Sequence, residues 1–292
     1  MNLKVMSTLI KREYWENYPL LYRLPLWLGV IIAVVALAFS GLSHSHSVHV
    51  HGYMSGQIQI PSSHVVAHLI HDANFALPLF SIFLWLTLFS YALRTLFTDR
   101  KDGSIFFWNS MPTPQTAIIL SKLFTLFIIA PFCSWVFLSL TQWIIYVAIS
   151  IGHFGFLVHN FSISGFFLAA FHNMFSNLLE LWLTALWLSP ILGLCFISSA
   201  YAKRSPAVPV FVVLFLASIL DLIFTKSHLI SGYILRCFTY SISGLSAFSQ
   251  TSAASEFWSA PMIHFVTSLV IAAICFVIAG VIRAKNLDFR ND

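Results

Sequence analysis

The stretch DRKDGSIFFWNSMP, Asp99 to Pro112, sets four charged residues in a row in a chain that is only 9% charged. Gly103, Ser104 and an apolar-aromatic run with Phe106, Phe107 and Trp108 follow, and Pro112 closes it. Gly103 interrupts the preceding helical pattern, Ser104 can cap a new short helix over Ile105–Met111, and Pro112 ends that helix. Thr113 and Pro114 then supply the cap and first helical position of the next segment. A connection that only reversed the chain would need no such object. The residues leave two readings open. One is an interfacial turn whose aromatics dip into lipid. The other is a docking peg, with aromatic knobs for a partner's groove and Asp99, Arg100 and Asp102 as rim charges.

The surroundings are those of a membrane protein. The chain has 292 residues, 59% of them hydrophobic and 16% aromatic, with a mean hydropathy of +0.85. Crossing a bilayer takes about 20 apolar residues as a helix. Six runs qualify: Leu24–Leu42, Asn74–Phe97, Thr116–Ser150, Ser176–Ala200, Pro206–Phe224 and Met262–Ile282. Ala36-Leu37-Ala38 resembles a signal cleavage site, but Glu13 and Glu16 precede it and five more runs follow, so the first is read as a retained span. The expected fold is an all-α integral membrane protein of six spans in one domain, residues 1–292.

Lys and Arg placement orients it. Lys4, Lys11, Arg12 and Arg23 precede the first span; Arg94, Arg100, Lys101 and Lys122 flank the second connection; Lys203 and Arg204 lie in the fourth; Arg283, Lys285 and Arg290 end the chain. The first and third connections have none, and the fifth only Lys226 and Arg236. Both termini are therefore expected in the cytoplasm. The net charge of +5 is read as insertion topology and attraction to anionic headgroups, with no nucleic-acid partner. Lys122 is most simply a residue snorkelling to the headgroups.

Residues 1–23 carry Leu3, Met6, Ile10, Tyr14, Tyr18 and Leu21 at helical spacing, with Lys4, Lys11, Arg12 and Glu16 off that stripe. This is an amphipathic helix suited to the interface, or a plain topology anchor. Pro131, Pro190 and Gly193 are candidate kinks in the third and fourth spans. The long fifth connection, Thr225–Pro261, suits short re-entrant or surface helices. Cys133, Cys195, Cys237 and Cys275 lack zinc-ligand spacing and are read as packing residues.

Other polar residues invite competing readings. His64, His68 and His71 recur at i, i+4 and i+7, so one helical face would present three imidazoles to Zn²⁺ or Cu²⁺; incidental or pH-sensitive loop chemistry is the alternative. Glu180 and Asp221 fall toward the outer ends of spans. They are either ion pairs, with Lys226 or Arg236 as the available cations, or contacts along a substrate pathway.

Three features together resemble the ABC-2 type permeases, the membrane subunits of bacterial ABC transporters. LIKREYWENYPLLYRLP (Leu9–Pro25) is similar to the Arg-Glu-aromatic-Trp-Glu start of one branch. LFTDRKDGSIFFWNSMPTPQTAIILSK (Leu96–Lys122) is similar to that branch's segment between spans two and three, with Asn109 where a basic residue is usual. The third is the six-span plan with a cytoplasmic amino-terminal helix. The resemblance implies that 105–111 is a coupling helix, which contacts an ATP-binding partner subunit through Asp99, Arg100, Asp102, Gly103, Ser104, Phe107 and Trp108. It also implies a second permease copy, as homodimer or heterodimer, a bacterial inner membrane location, and export driven by ATP and Mg bound to the partner. The chain itself has neither a Gly-x-x-x-x-Gly-Lys-Ser/Thr loop nor a Leu-Ser-Gly-Gly signature, so no catalytic residue or cofactor is assigned to it. The alternative functions are a metal-handling or metal-dependent membrane protein built on the outer histidines, and a non-transporting immunity or sensor protein.

Overall fold

A computed structural model describes residues 3–43, 70–71, 73–102, 115–152, 163–202, 204–224, 229–243 and 261–288. All regular structure among these residues is helical. In chain order the helices used below are α1 Leu3–Glu16, α2 Leu24–Ser43, α3 Ala76–Lys101, α4 Gln115–Phe124, α5 Ala130–Gly152, α6 Ile163–Trp187, α7 Ser189–Tyr201, α8 Ala207–Phe224, α9 Leu229–Ser243 and α10 Pro261–Asp288.

Four helical stretches are long and apolar enough to cross a membrane: Pro19–Ala38, Ala76–Lys101, Thr116–Ala148 and Pro261–Ala284. The α6–α7 pair, bent by 53°, is a fifth if taken as one broken span. Helices satisfy their own backbone donors and acceptors, which is why such apolar runs take this form in lipid. The chain is a multi-pass membrane protein, helical in all the regular structure of its described residues.

Two departures from the sequence reading stand out. The run expected as one span over 176–200, with Pro190 and Gly193 as candidate kinks, begins earlier, at Ile163, and does bend, at Leu188 just before Pro190, which sits in the first turn of α7. Asn173, which reads as part of a connection, is helical because its amide finds buried partners, described below. The run over 206–224 forms α8, apolar but shorter than the four spans. In the fifth connection the expected short helix is present as α9, and Gly232 lies inside it without breaking it.

Prolines shape two other spans in a common way. Leu24 N–H donates to Pro19 O at the end of a π-helical turn over Pro19–Arg23, and Pro25 follows. Ala130 N–H donates to Thr125 O at the end of a π-helical turn over Thr125–Ile129, and Pro131 follows. A proline ring collides with the carbonyl four residues back in an α-helix. Widening the preceding turn relieves that collision while keeping the chain helical.

α3 is the central helix, packed on α5, α6 and α7. Phe80, Leu84, Leu88, Ala92 and Leu96 form its buried stripe, and Thr87, Tyr91, Thr95 and Asp99 a polar stripe beside it. α7 lies against α10 at close range: a Cβ built on Gly193 would stand 2.7 Å from Cys275 Cβ. Gly193 thus serves close approach. Gly193→Ala is expected to destabilise the detergent-solubilised protein by about 1–3 kcal/mol through overpacking. Gly232→Ala, with nothing within 4 Å of its Cβ position, is expected to stabilise it by about 0.5–1 kcal/mol. Thermal unfolding of both variants checks the pair.

Candidate functional site

α1 is helical along Leu3–Glu16, and the residues it buries are Leu9 and Glu13, four apart, with half-buried Val5 one step earlier on the same face. Leu9 packs on Ala117 and Ile118 of α4. The stripe Met6, Ile10 and Tyr14 is only half-buried beside it. α1 is therefore a helix docked on protein, with Trp15 left on the exposed side.

Docking carries Glu13 into the bundle, where it is 1% exposed. Lys122 of α4, equally buried, donates to Glu13 Oε1 at 2.9 Å and to Thr95 Oγ1 at 3.1 Å. Tyr91 Oη donates to Glu13 Oε2 at 3.0 Å. The Lys122 ammonium also lies 3.3 Å from Asp99 Oδ2, to which Arg283 of α10 donates at 3.2 Å. At the margin, Arg12 bridges Asp99 at 3.7 Å and the exposed Glu16 at 2.5 Å. Two buried carboxylates thus meet two buried cations, with a third cation balanced by Glu16. Ionised groups in a low-dielectric interior are tolerated only when paired and hydrogen-bonded in this way.

These contacts correct two expectations. Asp99 is not a rim charge of a docking surface; it is 4% exposed and faces the cluster. Lys122 does not snorkel; it is held between two carboxylates and a threonine. Arg100, on the other side of α3, also turns inward, and its Nη2 donates to Ser199 O at 2.6 Å and Ala202 O at 2.8 Å. Asp102, by contrast, is exposed. Gly103, Ser104, Phe107 and Trp108 lie outside the described residues.

Asp221 is 4% exposed, and its Oδ2 accepts from Ile230 N–H at 2.8 Å, so the carboxylate caps the start of α9. Glu180 is half-buried; Lys226 lies outside the described residues. His64 and His68 also lie outside them, and His71 is exposed. Among the described residues no three His, Cys, Asp or Glu side chains are placed to hold a metal ion.

Two further polar groups have no counterpart in the sequence reading. Asn74, Gln142, Asn173 and Asn177 form a carboxamide network: Gln142 and Asn173 both donate to Asn74 Oδ1 at 2.9 Å, and Asn177 donates to Gln142 Oε1 at 3.0 Å. His264 of α10 stacks on Tyr233 at 4.3 Å between ring centroids, with Trp187 and Tyr240 around it. Single amides in apolar runs were the available signal for the first, since an amide in a span needs a partner.

The ionic cluster is a junction of helices. It joins α1, α3, α4 and α10 at one end of the bundle, and two of its members, Asp99 and Lys122, flank residues 103–114 in sequence. No protein-family model, curated protein or solved structure matches the chain. The fold and cluster therefore define a class only: a helical membrane protein with a buried ionic junction at one end.

Breaking a buried pair by removing one partner costs about 3–5 kcal/mol, whereas an exposed pair contributes under about 1 kcal/mol. Lys122→Met should accordingly lower stability in detergent far more than Glu16→Gln. Glu13→Gln combined with Lys122→Met, which leaves Asp99 and Arg283 to neutralise each other, should recover most of the loss. Equal losses in the single and double variants would contradict the pairing.

Proposed function

We propose that the chain is the permease subunit of an ABC transporter, exporting its substrate and driven by ATP hydrolysis on a separate subunit. In this reading α8 completes six spans. Both termini face the cytoplasm of a bacterial inner membrane, and a second permease copy completes the translocation unit. ATP and Mg belong to the partner, and the chain is not itself an enzyme.

The observation that supports the reading is the ionic junction, whose members Asp99 and Lys122 flank residues 103–114 in sequence. A partner pressing on that connection would push on Asp99 and Lys122, four residues before it and eight after it. Through Glu13 and Arg283 the same push would reach α1 and α10. A transporter requires such a route, because the partner's closure has to reach several spans together. An inert turn has no need of one.

Orientation is checked by cysteine substitution in intact cells. Cysteines at Ser47 and Phe161 should label from outside, and ones at Ser205 and Asn291 should not. External labelling at Asn291 would break the six-span topology.

Coupling is tested at the aromatics. Phe107→Ala and Trp108→Ala should each weaken association with the ATPase subunit by roughly 30- to 1000-fold, the effect of losing a buried interface anchor, and so lower its recovery on co-purification. The variants should still insert and remain monodisperse. Unchanged ATPase recovery and transport would return 103–114 to a lipid-facing turn.

A further inference from the structure

A cavity of about 340 Å³ lies where the end of α3 meets the end of α7, lined by Phe97, Arg100, Lys101, Ala202 and Arg204. Its electrostatics are the reverse of the ionic junction's. There every buried cation faces a carboxylate. Here three cations line one space, and no carboxylate is among the described lining residues. Asp99 is committed to Lys122 and Arg283 on the other side of α3. Lys101 and Arg204 are exposed and make no ion pair among the described residues.

Arg100 is prepared in advance. The carbonyls of Ser199 and Ala202 hold its Nη2, so the guanidinium is oriented by the fold, and its Nε is buried without a partner. An oriented guanidinium beside two cations that make no ion pair among the described residues is the arrangement that selects phosphate oxygens. A concave site lined by one sign of charge also concentrates the opposite sign.

The position decides which phosphate. Tyr201, 70% exposed, stands next to Ala202, and exposed tyrosines at span ends sit at headgroup depth. Phe97 supplies an apolar wall beneath the cations. We propose that this cavity binds the phosphodiester of an anionic membrane lipid, with Arg100 as the oriented donor and Lys101 and Arg204 as the flanking charges. The inference requires that the chain be embedded in a membrane with this end toward the anionic leaflet. It does not require that the chain be a transporter.

The test uses the full chain in detergent, titrated with phosphatidylglycerol or phosphatidylcholine, with retained lipid counted by native mass spectrometry. Arg100 is left intact because it also holds α7. Lys101→Gln/Arg204→Gln should weaken phosphatidylglycerol retention about 30-fold at low salt, about 5-fold per lost cation. The charge-matched variant Lys11→Gln/Arg94→Gln, altered at exposed cations outside the cavity, should retain the lipid as the parent does. Arg204→Glu alone gives the same reading should the double variant unfold. Equal loss in both double variants would assign the effect to diffuse charge and overturn the site. Displacement of the lipid by inorganic phosphate would make it a soluble-anion site. Retained lipid with loss of a co-purifying ATPase subunit would mean that the cavity receives a protein carboxylate. Any of these outcomes overturns the lipid assignment.

Discussion

Everything at one end of this bundle follows from the need to keep Glu13 and Asp99 neutralised in an apolar interior. Their desolvation costs several kcal/mol per ion, and attraction offsets it only where cations approach to hydrogen-bonding distance. That requirement fixes α1 against α4, because only the docked α1 brings Glu13 within 2.9 Å of Lys122. It also fixes the end of α10, since Arg283 has to reach Asp99. Apolar packing alone would let these helices slide, as lipid tails and side chains compete on nearly equal terms. Paired charges do not slide, and they convert a greasy bundle into one with a defined register.

The opposite end is fastened differently. Asn74 lies 25 residues before Asp99, roughly 37 Å along a helix, and there the ties are carboxamides joining the turn before α3 to α5 and α6. Amide pairs in membranes contribute about 0.6 kcal/mol each, far less than the loss of one partner in a buried ion pair. The two ends therefore resist deformation unequally. The end that the proposed partner would push is the one joined by ion pairs, through which α3 and α10 are held together.

Much of this was legible beforehand. The apolar runs located most of the spans, and Pro131 and Pro190 marked where two of them depart from a straight α-helix. The inward turn of Asp99 and Lys122 was not legible, for a physical reason. At a helix end near the interface, a charge is equally at home in headgroups or in a buried pair. Which it chooses depends on helices distant in sequence, with Arg283 lying 184 positions from Asp99. A signal was nonetheless present in α1, where Glu13 follows Leu9 by four and shares its face. The early start of α6 is not legible in the sequence because Asn173 reads as a loop residue until Asn74 and Tyr146 are beside it. Most of the proposed docking peg, from Gly103 onward, lies outside the described residues, and the tests of its aromatics stand on the sequence.

The π turn before Pro131 has a consequence for how the whole third span is phased. Ile118, Lys122, Leu126, Ala130, Ser134, Leu138 and Gln142 are all buried, a ladder with a rung every fourth residue. In a straight α-helix each step of four overshoots a full turn by about 40°, so six steps would wind roughly 240° around the axis. One extra residue in a widened turn takes back about 100° of that. The rest is real winding: the first rung meets α1 at Leu9, and the last meets α6 at Asn177. The proline thus acts as a phase shifter, and without it the side chains beyond Ile129 would meet different neighbours from those they now hold.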